Sequence, residues 1–341
     1  GGAVPRKRPR YLKMAKLKLK IALDRYDRHG PLFEGAVSGP PDVELECLNV
    51  GQGGVGIHGT DRNRRTFPGG EFDVAEYGLA PYIIAKSRMP DFPMTAIPVF
   101  PRRLFSQGRM YVNIDAGIDS PGDLIGKKVG LNSFQNSLAI LAKGDLLADY
   151  GVRWQDISWV ASVDEHFESE QIPDLSIDYL GPGSSIGEML LRGEIDAHFC
   201  PHIPAPLLGG SDRIQPLFKD PKTAIIDYFG SRGFFPIMHL IVVRQELLER
   251  EPWLAGALYD MFEAANRLVH DYYDDPNYSI LAWGRDTFEE QRETMGTNLW
   301  PSGLAANRRD LEQFIGYCHE QHIIDAPMSA ESLFHDSVLH T

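Results

Sequence analysis

The 341 residues suffice for one large or two ordinary domains; 43% are apolar and 24% charged, the balance of a soluble globular chain. A net charge of -13 argues against non-specific nucleic-acid binding, while leaving room for a small anion held by local arginines. The cysteines Cys47, Cys200 and Cys318 are too few and scattered for a disulfide framework or a Cys-based zinc site, and no run approaches the ~18 apolar residues of a membrane span.

Residues 1–13, "GGAVPRKRPRYLK", are basic with no apolar stretch behind them, which suggests a disordered leader or an added extension, with a natural start at Met14. The absence of a signal peptide and the reduced cysteines favour the cytoplasm. "LKLKIALD" (17–24) alternates as a strand does and ends in polar "DRYDR"; "VELECLNV" (43–50) reads as a second strand. "GQGGVGIHGTDRNRR" (51–65) contains G-x-G-x-x-G, but no amphipathic helix follows, so it reads as a glycine-rich turn or flexible lid and not as a dinucleotide site. "EFDVAEYG" (71–78) is a strand running into a helix with Pro81 in its first turn, and "MTAIPVF" (94–100) is the next strand.

Ser120 before Pro121 marks a helix start, "KKVGL" a strand, and residues 133–152 an amphipathic helix capped by Ser133 or Asn136. "DISWVAS", "IDYLG" and "TAIIDYFGS" read as strands, with one helix near 185–192. "FFPIMHLIVV" (234–243) is a buried strand, and long helices follow it. The alternation predicts an α/β chain of two lobes, 14–117 with 236–341 and 118–235, with a ligand cleft between them.

"DSPGDLIGKKVGLN", "FDVAEYGLAPYI", "AIPVFPRRLF", "YVNIDAGI", "LLRGEIDAHF" and "FFPIMHLIVVRQELLEREPWLAGALYDMF" together resemble the 4,5-dihydroxyphthalate decarboxylases, a branch of the type II periplasmic-binding-protein-like fold. The resemblance spans about residues 17 to 317. It implies loss of one carboxylate from 4,5-dihydroxyphthalate or a close hydroxylated diacid, giving protocatechuate and CO2. It further implies no cofactor, a small aromatic dicarboxylate as partner, no membrane association and a homo-oligomer. The alternatives are a non-catalytic solute-binding protein of this fold and a chorismate-dehydratase-like enzyme.

Such chemistry needs cations for two carboxylates, an acceptor for a hydroxyl and a proton for a ring carbon. His239, alone in an apolar strand, would ordinarily be a core residue; the resemblance makes it the first acid/base candidate. Arg102 and Arg103 follow "IPVFP"; neighbours in a strand point opposite ways, so one should face the cleft, and the family pattern falls on Arg103. Glu76 is the expected base or hydroxyl acceptor. Asp24, Tyr26 and Arg28 end the first strand and are expected at the substrate. Gln135 and Ser137, at a helix start, are candidate anion contacts. Asp196 is expected to fix a loop at the cleft. "HFCPH" (198–202) brings His198, Cys200 and His202 together, but prolines preclude the helix that would align them on a metal, and none is assigned.

Overall fold

The computed structural model describes residues 16–51, 61–168, 172–173, 175–181 and 183–341. β1 (Leu17–Leu23), β2 (Val43–Asn49), β3 (Val74–Gly78) and β4 (Met94–Arg103) begin a first sheet. β5 (Met110–Asn113), β6 (Lys128–Leu131), β7 (Ser158–Ala161), β8 (Ile177–Tyr179), β9 (Ala197–Phe199) and β10 (Ile214–Pro216) build a second, and β11 (Ile237–Arg244) returns to the first. The strand orders are β2-β1-β3-β11-β4 and β10-β5-β9-β6-β7-β8. β11 runs antiparallel between β3 and β4, while β1, β2 and β3 are parallel. The result is a two-lobed α/β fold.

Two expectations change. β5 pairs with β9 and β10, so the first crossing between lobes lies before residue 110 rather than at 117. "TAIIDYFGS" lies inside a helix, Pro221–Arg232, and is not a strand. Pro221 opens that helix, and the Asp220 side chain accepts a hydrogen bond from Thr223 N, which satisfies an end that a strand would not have.

Alternation within β11 serves two cores. Leu240 and Val242 pack with the helix Leu79–Arg88 on one face of the first sheet; Ile241 and Val243 pack with the helix Leu254–Tyr272 on the other. The second-lobe helix Ser137–Tyr150 lies against the first-lobe helix Leu304–Glu320. Gly144 permits this close approach: a Cβ there would stand 2.1 Å from the Tyr317 ring. Beside it the buried Asp145 accepts from Ser106 Oγ (2.6 Å), Tyr317 Oη (3.1 Å) and Tyr228 Oη (3.2 Å), tying the two lobes and a crossing segment together.

Candidate active site

The C-terminal ends of β3, β4, β6, β7 and β9 and the start of β11 open onto one cleft of about 770 Å³. Strand ends are where open α/β sheets leave backbone groups and loops free for a ligand. The first lobe contributes Gly78, Arg102, Met238 and His239 among others; the second contributes Asn132, Ser133, the Gln135–Leu138 run, Ser162–Phe167, Leu180, Pro201 and His202.

His239 stands opposite Gly78 on β3 and Arg102 on β4, and the β4–β11 register shifts on both sides of it. Such irregularities re-aim side chains, which is how a residue inside an apolar strand comes to face the cleft. The buried His239 bonds through Nδ1 to Glu76 Oε1. Glu76 is fully buried and does not line the cleft. It therefore stands behind the imidazole, which corrects its expected role as a direct acceptor for substrate.

Arg62, also fully buried, completes this arrangement. Its Nε donates to Glu76 O (2.6 Å), one terminal nitrogen donates to Val50 O (2.6 Å) and Asp24 Oδ2 (3.0 Å), and the other pairs with Glu76 Oε1 at 3.0 Å. Burial alone would raise the Glu76 carboxyl, but Arg62 and the bond from His239 overcome it and hold the group well below the usual carboxylate range. An ionised Glu76 makes Nδ1 the protonated nitrogen of His239 and leaves Nε2 bare on the cleft side. Burial pushes the imidazole down to about 4, opposed only in part by Glu76, with Arg102 and Arg62 adding to the depression. At neutral pH the free protein thus holds a neutral His239 with an open nitrogen.

The two arginines are reversed from expectation. Arg102 lines the cleft, and among the described residues its side chain forms no hydrogen bond or ion pair. Arg103 points into the first lobe, where it donates to Phe235 O (2.6 Å), Pro301 O (2.7 Å) and Asn307 Oδ1 (2.6 Å) and pairs with the buried Asp310 at 3.7 Å. One of the pair does face the ligand space, but Arg103 is a structural residue.

Asp24, Tyr26, Arg28 and Asp196 also lie away from the cleft. The Asp24 backbone N donates to Glu76 Oε2 at 3.2 Å, and Tyr26 Oη lies 3.3 Å from Glu76 Oε1, so both serve the buried carboxylate. The Arg28 guanidinium is sandwiched between the Tyr26 and Trp300 rings, 4.1 Å from each, and borders a separate cavity of about 270 Å³. Asp196 accepts from Lys128 N at 2.7 Å, bracing β9 against β6.

Gln135 and Ser137 do line the cleft. Asn136 caps the helix by accepting from Ala139 N at 2.9 Å, and Ser137 Oγ accepts from Ala80 N at 3.1 Å, joining the lobes. His198 is buried in β9, whereas His202 reaches the cleft, its imidazole lowered by burial and by Arg102 and Arg109. Among the described residues no three metal-ligating side chains cluster. The glycine-rich segment 52–60 lies outside the described residues; Arg62–Thr66 after it is a helix capped by Asp61.

Sequence reasoning missed Arg62 and Glu165. Glu165 follows β7 at the cleft and offers its carboxylate to Phe134 N (2.6 Å) and Gln135 N (3.0 Å). The signal for Glu165 was its place just past a strand end; Arg62, in a one-turn helix behind a glycine-rich stretch, carried none.

Two lobes with a ligand cleft between them define a periplasmic-binding-protein-like fold. Among solved structures, the aliphatic sulphonate binding protein SsuA of Escherichia coli matches at TM-score 0.56 and 15% identity, covering 95% of this chain and 99% of that one. The desulfurization enzyme DSZB matches at TM-score 0.52 and 13% identity, covering 95% and 98%. These likenesses carry the fold alone. No family model matches the chain. The 4,5-dihydroxyphthalate decarboxylase of Comamonas testosteroni is 31% identical over 337 residues, 96% of this chain and 98% of that protein. That of Pseudomonas putida is 28% identical over 227 residues, 65% and 84% respectively. The chain belongs to the 4,5-dihydroxyphthalate decarboxylase family.

Proposed function

We propose that the cleft binds 4,5-dihydroxyphthalate and removes one carboxylate as CO2, making the chain a carboxy-lyase. The observation that carries this is His239, bonded through Nδ1 to the buried Glu76 and set across the strand pair from Arg102, with both residues lining the cleft. A mere binding site has no need of a buried, charged Glu76–Arg62 pair behind its imidazole, because such a pair is costly to desolvate.

Arg102 receives the reacting end of the diacid through charge-assisted hydrogen bonds. Its charge is then balanced, and the nearby carboxylates favour the imidazolium, so His239 takes up a proton as substrate binds. The hydroxyl para to the reacting carbon gives up its proton. Its electrons move through the ring, and Nε2–H of His239 protonates the carbon that bears the carboxylate. The resulting cyclohexadienone loses CO2 as the carbon–carbon bond electrons return to the ring. Aromaticity is restored, the phenolate is reprotonated, and 3,4-dihydroxybenzoate remains. The substrate is symmetric, so either carboxylate serves. Leu104, Leu138, Phe167 and Met238 supply apolar lining for the ring.

No helix among the described residues is long and apolar enough to cross a membrane. Ile280, Leu281 and Trp283 form an exposed apolar segment that supports a homo-oligomer. A cytoplasmic location belongs to the same reading and accords with free cysteines at Cys47, Cys200 and Cys318.

The test is incubation of the purified chain with 4,5-dihydroxyphthalate, with and without a chelator. Stoichiometric CO2 and 3,4-dihydroxybenzoate are expected. Tight binding of the diacid without CO2 would reassign the chain as a binding protein.

A further inference from the structure

Deprotonation of the para hydroxyl needs an acceptor on the wall opposite His239 and Arg102, about one ring-length away. Glu76, the acceptor expected from sequence, is sealed behind the imidazole.

The second lobe supplies a carboxylate to the same cleft. The segment Ser162–Phe167 leaves the end of β7 and lines the cleft. It reaches the first lobe through His166 Nε2, 3.3 Å from Tyr77 Oη. Within it Glu165 is clamped by Phe134 N and Gln135 N, just before the helix Ser137–Tyr150, with Tyr179 Oη at 3.4 Å. Phe134 N and Tyr179 Oη occupy both lone pairs of Oε1 and Gln135 N one of Oε2, so the carboxylate is fixed with one acceptor site left on Oε2. The neighbouring Gln135 is buried, lines the same cleft, and has an amide oxygen without a hydrogen-bond partner. Glu165 and Gln135 thus put acceptors on this wall, whereas the other carries the uncommitted Arg102 and an Asp61 already paired with Arg64 at 2.9 Å. That polarity matches a ligand with acids at one end and hydroxyls at the other.

We infer that Glu165 is the substrate-binding carboxylate that accepts from the para hydroxyl through Oε2 and receives its proton, while Gln135 Oε1 accepts from the neighbouring hydroxyl. The O–H bond breaks, Glu165 holds the proton while the ring is protonated and CO2 departs, and it returns the proton to the phenolate. Burial raises the Glu165 carboxyl against the pull of its two backbone donors, which favours this exchange. The site therefore selects hydroxylated diacids over plain ones.

The inference rests on the proposed decarboxylation, and CO2 release by the unaltered chain tests that reading separately. Given that activity, Glu165→Gln keeps one oxygen, enough for one of the two backbone donors, and loses the charge. We expect kcat/KM for 4,5-dihydroxyphthalate to fall at least ~30-fold. The inhibition constant of phthalate, which lacks the hydroxyls, should stay unchanged or fall. Glu165→Asp should recover part of the loss. A phthalate constant that rises in step with the loss would show a collapsed site and overturn the inference. So would retained kcat/KM.

Discussion

His239→Asn is expected to lower kcat by roughly 10²–10⁴-fold, the usual contribution of a positioned acid or base. Asparagine is the informative replacement because its amide can take the place of Nδ1–H and keep Glu76 bonded. Alanine would leave that buried carboxylate short of a partner and confound catalysis with folding. The inhibition constant of phthalate should rise far less, by about tenfold near pH 7, because Arg102 remains and only the proton taken up on binding is lost. Steady-state CO2 release and phthalate inhibition check both halves. Turnover near that of the unaltered chain would remove His239 from the chemistry.

The arginines provide the second large effect, and they should separate cleanly. Arg102→Ala removes the uncommitted cation of the cleft and is expected to weaken transition-state binding by about 2–3 kcal/mol, or ~30–150-fold in kcat/KM. The fold should be unaffected, since among the described residues no group hydrogen-bonds to or ion-pairs with the Arg102 side chain. Arg103→Ala should do the reverse. Burial raises the Asp310 carboxyl to about 7, with Arg103 opposing the rise, so removing the arginine strands both Asp310 and three acceptors in the core. We expect a loss of about 3–5 kcal/mol in stability, read as a lowered urea midpoint, with near-normal kinetics in the folded fraction. A destabilised Arg102→Ala paired with a catalytically dead but stable Arg103→Ala would invert the assignment.

Why sequence reasoning chose Arg103 is instructive. Strand alternation correctly required that one of the two face inward. Which one does so depends on the shifted β4–β11 register around His239, and no local pattern announces that irregularity. The strand itself was legible: its apolar run and length mark β11, and the lone histidine stood out within it. Helix starts at Ser120 and Asn136 were legible because capping is local chemistry. The cap at Asp220 with Pro221 was equally local, but the β-branched and aromatic residues of "TAIIDYFGS" outweighed it. Glu76 was expected at the ligand, and its depth behind His239 was not foreseen. Its partners Arg62, Asp24 and Tyr26 come from separate segments, and their convergence is a tertiary fact. Glu165 was missed although its place after β7 follows the same strand-end logic that was applied to Asp24, Tyr26 and Arg28 after β1.

The central claim concerns one proton: bare at Nε2 of His239 in the free protein, present when a diacid fills the cleft. Nitrogen NMR of the chain labelled at histidine, near pH 7 with and without phthalate, observes it directly. We predict a neutral Nδ1–H imidazole that becomes doubly protonated on binding. An Nε2 that stays bare beneath bound phthalate, or one already protonated in the free protein, would contradict the account.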